Sequence, residues 1–70
     1  MKIEVYNTGS DLLTIYSKEI QHPRPICTIY EDDLCNSVLT DRQVKALDKG
    51  VWTFNVSKSV LFEHCKKRYL

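Results

Sequence analysis

The sequence is poor in the residues that punctuate loops, with two glycines and two prolines among 70 residues. Together with 43% hydrophobic residues, that scarcity excludes a disordered or low-complexity chain. Long apolar runs are missing as well. The longest is Val60-Leu61-Phe62, whereas a membrane span needs about 20 apolar residues and a secretory leader roughly 7–15. A cytoplasmic protein with no membrane partner is the expectation. Cysteine is sparse: Cys27, Cys35 and Cys65, an odd number at irregular spacing, make a poor disulfide framework and fit a reducing compartment. Their plain role is that of small apolar side chains.

Catalytic signatures are also lacking. The chain has no Gly-rich phosphate loop, no GxSxG and no HExxH. His64 and Cys65 are neighbours, and neighbours on a helix point about 100° apart, so they form no Cys–His dyad with each other. His22 lies in the loop Gln21-His22-Pro23-Arg24-Pro25, a solvated setting. Neither an enzyme nor a cofactor is expected. Cys27, Cys35 and Cys65 with His64 or His22 do supply soft donors, which leaves a small zinc-stabilised domain as one alternative. Their spacing lacks the paired CxxC knuckles of structural zinc sites.

What is present reads as one domain, residues 1–70. A chain of this size buries only about 60% of the surface its unfolded form exposes, so its margin of stability is a few kcal/mol. "KIEVYN" alternates Ile3 and Val5 against Glu4 and Tyr6, a half-buried strand. "NTGSD" turns the chain, with Gly9 free to take a positive φ. Residues 12–20 read two ways. As a helix, Leu12, Leu13, Tyr16 and Ile20 share a side; as a strand, Leu13 and Ile15 alternate with Leu12, Thr14 and Tyr16.

The echo of Thr14-Ile15-Tyr16 in Thr28-Ile29-Tyr30 favours the strand. "ICTIYE" is too short for a helix and rich in β-branched and aromatic residues. A three-stranded antiparallel meander follows. Its open edge would allow a homodimer by strand pairing.

In "DDLCNSVL", Asp32 or Asp33 can cap a short helix carrying Leu34, Cys35, Val38 and Leu39 on one side. Thr40 and Gln43 form a capping box for a helix to Lys49, stopped by Gly50. "VWTFNV" is a strand with Trp52, Phe54 and Val56 on its apolar face. Ser57 or Ser59 caps a last helix with Leu61, Phe62, Cys65 and Tyr69 inward, and Glu63, Lys66 and Lys67 outward. The fold class is α+β: a small single domain with an antiparallel sheet of three to four strands and two to three short helices, in the order β-β-β-α-α-β-α.

The net charge of +1 conceals an asymmetry. Residues 1–39 carry three cations against six carboxylates, net −3, and residues 40–70 carry seven against three, net +4. Arg42, Lys45 and Lys49 fall on one helical stripe opposite Val44 and Leu47. With Lys58, Lys66, Lys67 and Arg68 they would form a cationic surface of the kind phosphates contact. The plain reading is a solvated helix face with cations favoured in its last turn. Tyr6, Tyr16 and Tyr30 would gather on the outer face of the meander. Tyrosine anchors interfaces because it buries area with little entropy loss. Glu31, Asp32 and Asp33 form an acidic corner, whose plain role is to begin a helix.

"VWTFNVSKSVLFEHCKKR" resembles the opening of the ribbon-helix-helix DNA-binding family, in which an alternating strand leads through a serine cap into a helix. The resemblance covers residues 51–68 and does not include the family's second helix. It implies that outward strand side chains, either Val51, Thr53 and Asn55 or Trp52, Phe54 and Val56, read a DNA groove from a two-chain ribbon.

Two functions follow as expectations. The first is a small non-enzymatic regulator or inhibitor, of the phage or mobile-element accessory kind. It would occupy a surface on a larger protein or protein complex through Tyr6, Tyr16, Tyr30, Glu31, Asp32 and Asp33. The alternative is nucleic-acid binding through Arg42, Lys45, Lys49, Lys66, Lys67 and Arg68.

Overall fold

A computed structural model describes residues 1–19 and 24–69. The expectations placed on Ile20, Gln21, His22 and Pro23 lie outside the described residues. Strands β1 (Lys2–Asn7), β2 (Leu12–Ser17) and β3 (Cys27–Tyr30) form the expected meander. Residues 12–17 are therefore strand, as the echo indicated. Gly9 turns the chain between β1 and β2 at φ 92°. Strand β4 (Thr53–Asn55) pairs antiparallel with β1, and β5 (Lys67–Arg68) pairs antiparallel with β3. The sheet thus has five strands in the order β4-β1-β2-β3-β5, and the fold is α+β.

The register decides which face is core. Val5 stands opposite Ile15, Ile3 opposite Phe54, and Leu13 opposite Ile29. All six are buried and join Leu34, Leu39, Leu47 and Leu61 in one apolar cluster. The helices therefore lie on that side. Glu4, Tyr6, Leu12, Thr14, Tyr16, Thr28, Tyr30, Thr53 and Lys67 alternate to the other side, which among the described residues no helix covers.

Helix α1 (Glu31–Asp33) runs directly into a π turn, Leu34–Val38. The expected cap at Asp32 or Asp33 does not form. Tyr30 precedes the helix without a side-chain cap, and the three acids occupy the first turn, where they favour the dipole. The Leu39 N–H reaches back to the Leu34 carbonyl, 2.8 Å. Closing five residues rather than four brings Leu39 nearly above Leu34, and both are buried.

Helix α2 (Asp41–Asp48) opens with the full Thr40–Gln43 capping box. It closes in a Schellman turn: Gly50 at φ 91° donates to the Leu47 carbonyl, and Val51 donates to that of Ala46. Helix α3 (Lys58–His64) begins at Ser57, whose hydroxyl accepts from the Val60 N–H, and buries Leu61. It ends at Cys65, earlier than expected. Lys66 then donates to the Thr28 carbonyl and Tyr69 to that of Ile26. The outer edge of β3 satisfies its backbone in this way, and the pull of that edge ends the helix. Tyr69 is consequently exposed rather than inward, and Lys66 and Lys67 do not lie on α3.

Both edges of the sheet are blunted. The outward carbonyl of Asn55 in β4 is taken by the Gln43 side chain at 2.9 Å, and β5 consists only of Lys67 and Arg68. Among the described residues, neither edge offers the long unpaired strand that pairing between copies requires.

Candidate functional site

The helix-free face carries the expected tyrosines. Tyr6 (β1) stands opposite Thr14, Tyr16 (β2) opposite Glu4, and Tyr30 (β3) opposite Leu12. Tyr6 and Tyr16 are diagonal neighbours whose rings meet edge to face, with centroids 5.0 Å apart at 78°. The Tyr6 hydroxyl donates to Glu4 Oε1 at 2.8 Å, and the carboxylate pushes the phenol pKa up. Glu4 also meets Lys18, 3.8 Å away. Tyr69 follows Lys67 along the same side, so all four tyrosines of the chain border one face. Tyr6 is 48% exposed, Tyr30 43% and Tyr69 45%. Thr28, near the middle of the face, is buried by its neighbours.

The acidic corner adjoins Tyr30. Glu31 donates its N–H to the Asp11 carbonyl, 2.8 Å. Asp11, Tyr30, Glu31 and Asp32 line a polar depression of about 170 Å³. Asp11 is a member of this corner that the sequence reading missed, because only the β2–β3 pairing brings it there. On the opposite side of Tyr30, the Lys66 ammonium lies 5.8 Å from the ring centroid, and Lys67 lies 5.1 Å from that of Tyr69. Tyr30 therefore stands between a basic edge and an acidic corner.

Trp52 departs from expectation. Phe54 and Val56 are buried, but Trp52 is 43% exposed. Trp52 lies just before β4, where its carbonyl accepts from the Val5 N–H at 2.8 Å, at the end of the strand rather than over the core. Trp52 joins Glu4, Val5, Tyr6 and Asn7 around a cleft of about 270 Å³.

The cations proposed for nucleic acid are divided between two places. Arg42 and Lys45 lie on α2 and Lys49 at its C-terminus, leading into β4, whereas Lys67 and Arg68 form β5 at the other edge. Lys58 and Arg68 both lie near the Phe62 ring, at 5.8 and 5.7 Å. The strand of the ribbon-helix-helix resemblance is an edge strand of a five-stranded sheet, already paired with β1.

The thiols are arranged for packing. Burial pushes up Cys27, Cys35 and Cys65, which is the reverse of nucleophilic activation. Cys65 neighbours Cys27, and its own thiol donates to the Leu61 carbonyl at 3.1 Å. Among the described residues no group of three His, Cys, Asp or Glu is placed to hold a metal ion, and none of the helices is long and apolar enough to cross a membrane. Comparison with protein-family models, curated proteins and solved structures finds no match to the chain.

Proposed function

We propose that this chain is a small non-catalytic binding protein, a regulator or inhibitor that occupies a surface on a larger protein through its open sheet face. One observation carries the reading: the four tyrosines border the face that the core does not use, and three of them are close to half exposed. Tyrosine supplies contact area, a hydrogen-bonding tip and little rotamer entropy to lose. The mixed charge of the face supports a protein partner over a polyanion, since the carboxylates of Asp11, Glu31 and Asp32 beside Tyr30 would repel phosphates. The raised thiols support a non-catalytic role.

Affinity capture from lysate, with and without nuclease, tests the reading with two variants. Tyr30→Ala/Tyr69→Ala should lose a specific protein that the wild type retains after nuclease treatment. Arg42→Glu/Lys45→Glu/Lys49→Glu should retain it. Capture that vanishes with nuclease, or with the second variant alone, would instead assign the chain to nucleic acid.

A further inference from the structure

We infer that the open sheet face also pairs with a second copy of this chain, face to face about a two-fold axis beside Tyr30. The acidic corner of each copy then meets the basic edge of the other. The inference rests on the reading of this face as a protein-binding surface and names an occupant that covers it.

The charges on the two flanks of Tyr30 carry the argument. Strand β3 has β2 on one side and β5 on the other. On the β2 side Leu12 stands opposite Tyr30, and Asp11 just before it lines the acidic depression with Tyr30, Glu31 and Asp32. On the β5 side the Lys66 ammonium lies 5.8 Å from the Tyr30 ring centroid, and the Lys67 ammonium 5.1 Å from that of Tyr69. Asp11, Glu31, Asp32, Lys66 and Lys67 are all exposed. Among the described residues none of these five side chains forms an ion pair, although opposite signs flank a single ring.

An occupant that satisfies both flanks must carry the same two charges in the opposite order. A polyanion would suit Lys66 and Lys67 but be repelled by the corner, and a basic peptide would do the reverse. This face itself has the required pattern. Half a turn about an axis beside Tyr30 exchanges the flanks, so two copies complement each other and both contacts form at once. Pairing closes at two copies, because neither flank is left over.

Tyr30, 43% exposed, and the half-buried Leu12 beside it give this contact an uncharged centre within a charged rim. Both sheet edges are blunted, so the face rather than an edge is what a second copy can cover. The contact is modest in size. The molecule extends 27 × 24 × 21 Å, so one face gives at most about the 800 Å² per partner of a standard interface. The dimer is therefore weak and salt-sensitive, and the larger partner competes with the second copy for the same tyrosines.

Sedimentation equilibrium of the purified chain tests this. The wild type should dimerise reversibly below about 1 mM, and less so at high salt. Asp11→Lys/Glu31→Lys and Lys66→Glu/Lys67→Glu should each, alone, weaken the dimer about tenfold or more. Mixed in equal amounts they should dimerise as the wild type does, because both contacts again join opposite charges. Misfolding cannot produce rescue on mixing, and urea midpoints establish that each variant folds. Tyr30→Ala, which leaves both flanks charged, should weaken the wild-type dimer about tenfold and serves where a reversed variant does not fold. A chain that stays monomeric overturns the inference, as does a dimer that both reversals or Tyr30→Ala leave intact, or two folded reversals that do not rescue each other. A monomer that instead binds a single-stranded oligonucleotide or an arginine-rich peptide gives the face to that occupant.

The two readings fail separately. A monomeric wild type whose Tyr30→Ala/Tyr69→Ala variant loses the captured protein keeps the protein-binding face and removes the self-pairing. Rescue on mixing, together with capture that Tyr30→Ala/Tyr69→Ala leaves unchanged, keeps the self-pairing and removes the larger partner from this face.

Discussion

The Gln43 side chain ties helix α2 to the strand that follows it: its Nε2 donates to the Asn55 carbonyl at 2.9 Å while its Oε1 accepts from Thr40 N–H at 2.9 Å. One residue thus completes a helix cap and closes a sheet edge. Gln43→Ala should cost about 1–2 kcal/mol, the sum of a lost cap and a lost hydrogen bond. Gln43→Glu keeps the acceptor for Thr40 and loses only the donor to Asn55, so it should cost less. Urea unfolding of the three proteins decides this, and equal losses would show that the cap contributes nothing.

Gly50 offers a cleaner test of backbone strain. It sits at φ 91°, and a Cβ built there would meet nothing within 4 Å. Any cost of Gly50→Ala is therefore conformational, about 1–2 kcal/mol. Gly50→Asn should cost less, because asparagine tolerates the left-handed region. Thermal midpoints measured side by side would show the ranking, and an Ala variant as stable as wild type would overturn it.

The features legible in the sequence are those whose cause is local. Alternation placed Ile3 and Val5 inward and Tyr6 outward, and the Thr40–Gln43 and Gly50 signals bounded α2. Ser57 marked α3. Strand β5 was not legible, because a run of three cations becomes a strand only when the open edge of β3 offers carbonyls to Lys66 and Tyr69. The π turn depends on burying Leu34 and Leu39 together, a tertiary demand. The site divides in the same way. Tyr6, Tyr16 and Tyr30 followed from strand periodicity. Trp52 fell on the apolar side of its strand by that same periodicity, but it lies at the strand's end, where alternation says nothing about how far the core extends. Tyr69 and Asp11 are brought to the face by pairings distant in sequence.

Two leucines test which face is core. Leu61 on α3 is fully buried, whereas Leu12 is half-buried on the helix-free side. Leu61→Ala should cost about 2–5 kcal/mol, enough to abolish cooperative unfolding in a domain with a margin of a few kcal/mol. Leu12→Ala should cost under about 1 kcal/mol. Circular dichroism through a thermal ramp distinguishes them. A comparable loss at Leu12 would mean that the tyrosine face is packed against something in the folded state.

Cys27 should make the protein sensitive to alkali. Burial, and then the neighbouring Cys65 thiol, raise the Cys27 thiol well above the ordinary value of 9.0. Below that value the thiol keeps its proton in both the folded and unfolded chain, and pH exerts no pull through it. Above it the unfolded chain releases the proton while the folded chain retains it. Stability contributed by this group is therefore complete at neutral pH and falls as pH rises above 9, by up to about 1.4 kcal/mol per pH unit. Cys35 and Cys65 are shifted the same way and add to the fall. Urea midpoints at about pH 8 and about pH 10 should show the fall in the wild type. Cys27→Ala, less stable at both values through lost packing, should lose less between them, because the most deeply buried thiol no longer contributes. An unchanged slope in that variant would place the alkaline sensitivity elsewhere, with the Tyr6–Glu4 hydrogen bond the next group to examine.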